Sequence, residues 1–130
     1  MQKSSVFANL ILDVGDLERS LAFYHDMLQL PIDRREFLDG HLLAYLQAGD
    51  TQILLLQQPK SDQIPGMERS GGLVMKFYVR EIMKVTKNLQ ANKVTILQGL
   101  DEPLIGERSC LVEDPDGYAI LLAEPVETLN

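Results

Sequence analysis

The sequence contains no tryptophan and only one cysteine, Cys110, in 130 residues. A single cysteine cannot form an internal disulfide, and this usage is typical of proteins in a reducing compartment. Basic residues are also few, since 12 lysines and arginines stand against 19 aspartates and glutamates and give a formal net charge of -7. That balance lacks the basic stripe of a nucleic-acid-binding protein, so we expect no nucleic-acid partner.

Long apolar runs are absent as well. No stretch approaches the roughly 20 residues that a membrane-spanning helix needs, and the segment Met1–Ser5 lacks the apolar core of a signal peptide. We therefore expect a cytoplasmic protein with no membrane partner. A chain of this length is typically a single compact domain that can bury a core of its own.

The strongest local signal lies near the C-terminus, between Glu113 and Glu124. The segment Asp114–Gly117 (Asp-Pro-Asp-Gly) combines a proline that fixes φ, an aspartate that can bond its own backbone and a glycine that accepts positive φ. Apolar residues flank it at 110–112 and 118–123. The pattern predicts an antiparallel hairpin.

A second marker is the passage from a strand into a helix near the N-terminus. Residues 5–14 are mostly apolar, which predicts a strand covered on both faces. Asp16 is placed to cap the following helix, whose end we expect near Leu30–Pro31. Spacings of four, three and four residues predict one apolar face for that helix: Leu17, Leu21, Tyr24 and Leu28.

The two halves of the sequence repeat the same order of elements. In the first half, turn signals at Asp39-Gly40 and Gly49-Asp50 divide residues 32–58 into three strands. In the second half the predicted elements are a strand at 72–79, a helix at 80–92 with Asn92 as its left-handed stop, and strands at 93–97, 106–112 and 118–123. The repeat predicts two tandem βαβββ modules, 1–58 and 71–130, within a single domain.

A connector at 59–70 joins the modules and is rich in proline and polar residues. Two roles are open to it, a lid over a binding site or a plain surface linker, and the linker is the simpler interpretation.

The order of two βαβββ modules, the segment Asp13–Tyr24 at the first helix and the segment Glu113–Tyr118 before the last strand together resemble the vicinal oxygen chelate superfamily. This superfamily includes glyoxalase I, bleomycin-resistance proteins, fosfomycin-resistance enzymes and extradiol dioxygenases. The resemblance covers nearly the whole chain. It implies an α+β fold in which curled mixed sheets surround a cup-shaped cavity and the helices lie on the outer face. It restricts function less, because members do different chemistry on one scaffold.

In the enzymes that this sequence resembles, a divalent metal in the cup is held by side chains from the first and last strands of each module. The resemblance places the four ligand positions at Asn9, Leu55, Val74 and Leu121. Leucine and valine have no lone pairs to offer a metal, and a shift of these strands by one or two residues does not supply a donor set. We therefore expect no metal and no cofactor, with Asn9 as a polar group facing the cup.

Strand alternation then predicts which side chains face the cup. The predicted ligand-binding residues are Phe7, Asn9, Ile11, Leu55, Gln57, Val74, Lys76, Tyr78, Arg108 and Leu121. Their neighbours are expected under the helices, among them Leu10, Leu12, Leu54, Leu56, Met75, Phe77, Ile120 and Leu122. A lysine in an apolar strand needs water or an acidic partner, so Lys76 either contacts the ligand or pairs with Glu107 or Glu113. Arg108 either binds an anionic ligand or is an exposed strand arginine.

These inferences favour a protein of the bleomycin-resistance type, which binds a small organic molecule in the cup between the modules and sequesters it. The alternative is a lyase, isomerase or dioxygenase-type enzyme that uses Lys76 or Tyr78 as an acid or base, or displaced metal ligands such as His41 and Glu107. The sequence assigns no catalytic residue, since Cys110 lacks the neighbours that activate a thiol. Proteins of this size that the chain resembles are commonly homodimers, so we expect a homodimer.

Overall fold

The computed structural model describes residues 5–60, 73–101 and 106–125. The chain divides into two compact units, Met1–Pro65 and Gly66–Asn130. Each unit contains one four-stranded mixed sheet. Residues 61–70 of the predicted connector lie outside the described residues. The structure therefore does not test whether the connector forms a lid.

The first unit has the predicted order of strand, helix and three strands. Its elements are β1 (Leu10–Asp13), α1 (Leu17–Leu21), which continues as a π-helical segment (Ala22–Met27), β2 (Ile32–Leu38), β3 (His41–Ala48) and β4 (Thr51–Gln57). The strand order in the sheet is β1-β4-β3-β2. β1 pairs with β4 in parallel, and the other pairs are antiparallel.

The second unit repeats this arrangement. Its elements are β5 (Val74–Tyr78), α2 (Ile82–Ala91), β6 (Ile96–Asp101), β7 (Glu107–Glu113) and β8 (Ala119–Pro125). The strand order is β5-β8-β7-β6, with β5 parallel to β8. Two mixed sheets with one helical element each confirm the predicted α+β fold class.

The helix of the first unit begins as the sequence predicts. Asp16 has extended backbone angles, and its carboxylate Oδ1 accepts a hydrogen bond from the backbone N–H of Arg19 at 3.2 Å. Leu17, Leu21 and Tyr24 are buried. The helical segment ends at Met27, earlier than the predicted Leu30–Pro31, because Gln29 adopts a left-handed φ of 63°.

The first strand is shorter than predicted. It begins at Leu10, and residues 5–9 precede it without regular structure. Phe7 is 73% exposed, so apolar composition alone did not make this segment a buried strand. Of residues 5–13, only Leu10–Asp13 pair with β4, and this pairing defines the start of β1.

The predicted stop of the second helix is wrong by one residue. Asn92 has a φ of -96°, and Lys93 is the left-handed residue with a φ of 61°. The Val94 N–H donates to the Leu89 carbonyl at 3.0 Å, and the Lys93 N–H donates to Gln90 at 3.1 Å. This pair of hydrogen bonds is the Schellman motif. It occupies residues 93 and 94, so β6 begins at Ile96 instead of Lys93.

The turn at Asp114–Gly117 forms the predicted hairpin between β7 and β8. Asp114 Oδ1 accepts hydrogen bonds from the N–H of Asp116 at 2.9 Å and the N–H of Tyr118 at 2.8 Å. The Gly117 N–H donates to the Asp114 carbonyl at 3.0 Å, and Gly117 has a φ of 93°. Asp114 is only 4% exposed, so this carboxylate is a structural part of the turn.

Each sheet carries its helical element on one face, which two corresponding contacts identify. Gln57 Oε1 accepts from the Leu17 N–H at 2.7 Å, at the start of α1. Glu124 Oε1 accepts from the Ile82 N–H at 3.1 Å, at the start of α2. We call the side of each sheet that holds Gln57 or Glu124 its helix face, and the opposite side its far face.

Backbone hydrogen bonds show which residues of the two units correspond. The Val14 N–H donates to the Leu56 carbonyl at 2.9 Å, and the Val79 N–H donates to the Ala123 carbonyl at 2.8 Å. Leu56 of β4 therefore corresponds to Ala123 of β8. Counting back two residues in each strand, Leu54 corresponds to Leu121.

Candidate functional site

The register of β1 with β4 corrects the prediction for β4. Ile11 is opposite Leu54, and Asp13 is opposite Leu56. Because residues opposite each other in a pair of strands lie on the same face, and Gln57 marks the helix face, Leu54 and Leu56 lie on the far face with Ile11.

Leu55 and Gln57, predicted to face the cup, instead lie on the helix face. Leu55 is 0% exposed, and Gln57 bonds the first turn of α1. The backbone hydrogen bonds that relate the two modules likewise match Leu54, not Leu55, with Leu121.

In the second unit the predicted alternation is observed. Val74 is opposite Ala119, Lys76 is opposite Leu121, and Tyr78 is opposite Ala123. Since Glu124 marks the helix face, these side chains lie on the far face. Their role in ligand binding stays a prediction.

Lys76 lies in a compact polar group on this far face. Its Nζ is 2.9 Å from Glu107 Oε1 and 3.2 Å from Oε2, and it lies 4.9 Å from the centroid of the Tyr78 ring. We call these three residues the Lys76 cluster. Of the partners predicted for Lys76, the structure selects Glu107.

The electrostatics of the Lys76 cluster keep both charges in place. The hydrogen bond to Glu107 raises the pKa of Lys76. The hydrogen bond from Lys76, with a smaller one from Tyr78, lowers the pKa of Glu107. Lys76 is therefore an ammonium donor at neutral pH and not a free base.

Arg108 does not lie on the far face with Lys76. It is opposite Glu124 in the pairing of β7 with β8, which places it on the helix face. The backbone N–H groups of Ile82 and Glu81 lower the pKa of Glu124, and the charge of Arg108 adds to this effect. Arg108 is exposed, as in the second interpretation of this residue, and its predicted contact with a ligand stays a prediction.

The far face of the first unit contains a second cationic group, which sequence reasoning missed. Arg34 is opposite Tyr45, and Glu36 is opposite Leu43. The Arg34 Cζ lies 4.1 Å from the centroid of the Tyr45 ring, and Nε lies 3.4 Å from Glu36 Oε1. A hydrogen bond with Tyr45 raises the pKa of Arg34. We call Arg34, Tyr45 and Glu36 the Arg34 cluster.

The alternation of side chains between the two faces of β2 is the sequence feature that could have indicated the position of Arg34. Arg34 and Arg35 are adjacent and must point to opposite faces. Arg35 pairs with Glu18 of α1 at 2.8 Å, so Arg34 lies on the far face. The pairing of β2 with β3 is irregular between Ile32 and Arg34, which hides this phase in a single sequence.

Two predicted residues, Phe7 and Asn9, precede β1 and have no partner in the sheet register. Strand pairing therefore does not assign them to a face. Ile11, two residues further, is in β1 and is 54% exposed.

Three of the four positions that the resemblance assigns to metal ligands hold hydrocarbon side chains. Val74 and Leu121 have hydrocarbon side chains. In β4 the side chain is hydrocarbon whether the position is Leu55, as predicted, or Leu54, which corresponds to Leu121. Asn9 supplies one amide oxygen. Among residues 5–60, 73–101 and 106–125, no group of three His, Cys, Asp or Glu side chains is arranged to hold a metal ion.

The remaining candidate residues are His41 and Cys110. His41 Nδ1 lies 3.2 Å from the carbonyls of Leu38 and Asp39 at the β2–β3 turn. Burial raises the pKa of Cys110, which keeps it a thiol and disfavours nucleophilic chemistry.

None of the helices in the described ranges is long and apolar enough to cross a membrane.

Comparisons with known proteins agree with this geometry. The model of one family, described as the Glyoxalase/Bleomycin resistance protein/Dioxygenase superfamily, matches residues 7–122. A glyoxalase family protein from Bacillus cereus has a TM-score of 0.84 at 18% identity, covering 98% of this chain and 99% of that one.

Two further solved structures have the same fold. The trypanothione-dependent glyoxalase I of Leishmania major has a TM-score of 0.73 at 23% identity, covering 93% of this chain and 87% of that one. A superfamily member from Sphaerobacter thermophilus has a TM-score of 0.67 at 22% identity, covering 92% of this chain and 97% of that one. At these identities the likeness concerns the fold alone.

Proposed function

The chain belongs to the Glyoxalase/Bleomycin resistance protein/Dioxygenase superfamily, and on that premise we propose that it binds a small organic molecule without metal chemistry. Binding a small molecule needs an apolar surface with a few convergent polar groups. Lewis-acid catalysis needs a coordinated cation. At the positions where Lewis-acid catalysis would require metal ligands, the chain has apolar side chains that suit the binding of a small molecule.

One observation carries this proposal, the hydrocarbon at the positions where the superfamily's enzymes hold their metal. A catalytic zinc site, for example, uses three protein ligands with nitrogen, oxygen or sulfur donors. Val74, Leu121 and either Leu54 or Leu55 provide none, and Asn9 alone cannot hold the ion. The same hydrocarbon is suitable for contact with the body of an organic ligand.

The Lys76 cluster supports recognition more than proton transfer. Because Glu107 raises the pKa of Lys76, the ammonium can donate a hydrogen bond to a ligand but cannot accept a proton from one. The Tyr78 ring beside it is exposed, and Val74 and Leu121 lie on the same face. A ligand can therefore find an apolar surface, an aromatic ring and a hydrogen-bond donor together.

The test combines metal analysis with ligand screening. Protein purified without chelators is assayed for divalent metals by mass spectrometry, and a library of drug-like and acyl compounds is screened by thermal shift with and without a chelator. We expect metal far below one equivalent, at least one ligand that raises the melting temperature regardless of chelator, and recovery of that ligand unchanged by NMR. A near-stoichiometric metal with chelator-sensitive turnover would show the alternative, a lyase, isomerase or dioxygenase-type enzyme.

A matched pair of variants tests the surface. Tyr78 and Met83 are both exposed, but Tyr78 lies on the far face and Met83 lies on α2. We expect Tyr78→Ala to weaken binding of a ligand found in the screen, and Met83→Ala to leave its affinity unchanged. Equal effects would remove the far face of the second unit from the proposal.

We also propose that the protein is a homodimer. The support is apolar exposure near the N-terminus, where Val6 and Phe7 are largely accessible. Light scattering after size-exclusion chromatography should give twice the mass of 14.6 kDa. A monomer at micromolar concentration would contradict this.

A further inference from the structure

We infer that the far face of the first unit is a binding site for an organic anion with a flat apolar body, with Arg34 as the residue that binds the anionic group. This inference rests on the proposed function, because it names the chemical class of a ligand that the far face of the first unit would bind. It adds Arg34, Tyr45 and Leu54 to Ile11, which the sequence analysis had already predicted to bind a ligand.

The site is a row of four side chains that crosses the whole sheet. Arg34 of β2 is opposite Tyr45 of β3, Tyr45 is opposite Leu54 of β4, and Leu54 is opposite Ile11 of β1. Neighbouring strands are about 4.8 Å apart, so the row extends for about 14 Å. It begins with a cation and continues with an aromatic ring and two aliphatic side chains. A molecule with an anionic group at one end and a flat hydrocarbon body matches this order.

Arg34 is better placed to bind an anion than the other cations of the candidate site. The Lys76 ammonium already contacts both oxygens of Glu107, at 2.9 Å and 3.2 Å. Arg108 is on the helix face beside Glu124. Arg34 Nε lies 3.4 Å from Glu36 Oε1, a longer distance, and Arg34 also forms a hydrogen bond with Tyr45. A guanidinium has five N–H donors in a planar fork. One carboxylate oxygen can accept hydrogen bonds from only some of these donors.

Stacking prepares Arg34 for this role. The guanidinium lies 4.1 Å from the Tyr45 ring centroid, which restricts its plane and reduces the side-chain entropy lost on binding. Its side chain is 60% exposed, so a ligand can reach it. The next row of the far face contains Glu36, Leu43, Leu56 and Asp13. Carboxylates in that row repel an anion, which favours binding along the Arg34 row.

The test uses two probes with the same ring system, 2-naphthoate and its neutral analogue 2-naphthamide, titrated into the whole protein by calorimetry. We expect naphthoate to bind about tenfold more tightly than naphthamide, as charge-assisted hydrogen bonds at an exposed arginine allow. Arg34→Gln should lower naphthoate affinity about tenfold and so remove its preference over naphthamide. Glu36→Gln should increase naphthoate affinity, because it removes the competing carboxylate.

Arg35→Gln is the matched control. It removes the same charge from the adjacent residue, which lies on the helix face and pairs with Glu18. Urea midpoints for each variant verify folding. If Arg34→Gln and Arg35→Gln weaken naphthoate equally, or neither does, the inference is wrong although another ligand can still satisfy the proposed function. Absence of naphthoate binding also overturns the inference. Failure of the proposed function is distinct, because it appears as bound metal with turnover.

Discussion

Replacing Asp114 by alanine should destabilise the protein more than any other single change in the β7–β8 turn. Asp114 Oδ1 accepts hydrogen bonds from the N–H groups of Asp116 and Tyr118, at 2.9 Å and 2.8 Å. The Tyr118 N–H is buried in the turn, and leaving a buried donor without a partner costs about 1–3 kcal/mol. The Asp116 N–H can turn to water, at a cost of about 0.5–1 kcal/mol. We therefore expect Asp114→Ala to lower the free energy of unfolding by about 1.5–4 kcal/mol.

Asp114→Asn is the control that isolates the hydrogen bonds. Both donors bond to the same oxygen, Oδ1, and an asparagine carbonyl can replace that single acceptor. Its cost should be about 1 kcal/mol or less, since only the charge is lost. The assay is urea unfolding followed by circular dichroism and by tyrosine fluorescence, with coincident curves as the two-state criterion. Equal destabilisation by alanine and asparagine would refute this reasoning and assign the effect to the charge.

Three further changes test the helix caps, the corrected phase of β4 and the turn glycine. Hydrogen bonds from the N–H groups of Ile82 and Glu81 lower the pKa of Glu124. The stabilising effect of its carboxylate is therefore present above the unfolded-state pKa and is lost as pH falls through the folded-state pKa. Glu124→Gln should reduce the acid dependence of the melting temperature below about pH 5. Leu55→Ala should cost about 2–5 kcal/mol in urea unfolding, because a side chain buried under α1 leaves a cavity. Gly117→Ala should cost about 1 kcal/mol because of the φ of 93°, although a Cβ added there would meet no neighbouring atom within 4 Å. Gly99→Ala should not have this cost, because Gly99 has no positive φ.

Local chemistry allowed the turns and the first helix cap to be predicted from the sequence. Asp114, Gly117 and Asp16 each act through atoms within a few residues of themselves, so a short segment contains the whole cause. The stop of α2 shows the limit of such reasoning. Asparagine favours the left-handed conformation, but Asn92 follows the end of α2 with a negative φ, and Lys93 takes the left-handed angle.

The phase of β4 could not be predicted in the same way. Residues 53–56 are all apolar, so alternation gives no contrast between the two faces. The face is set by a contact between residues 40 positions apart, the hydrogen bond from the Leu17 N–H to Gln57. The Arg34 cluster was missed for a related reason, because a register shift in β2 lies next to it.

Comparing the two units separates the part of each module that builds the fold from the part that can carry function. Gln57 and Glu124 make corresponding contacts with helix N-termini, and both helix faces bury leucine at corresponding positions, Leu55 and Leu122. The far faces do not correspond in this way. The first unit has Ile11 where the second has Lys76, and its cation comes from β2 instead of β5. A ligand bound on either far face therefore meets different chemistry in each unit, and equivalent variants in the two units should affect binding unequally.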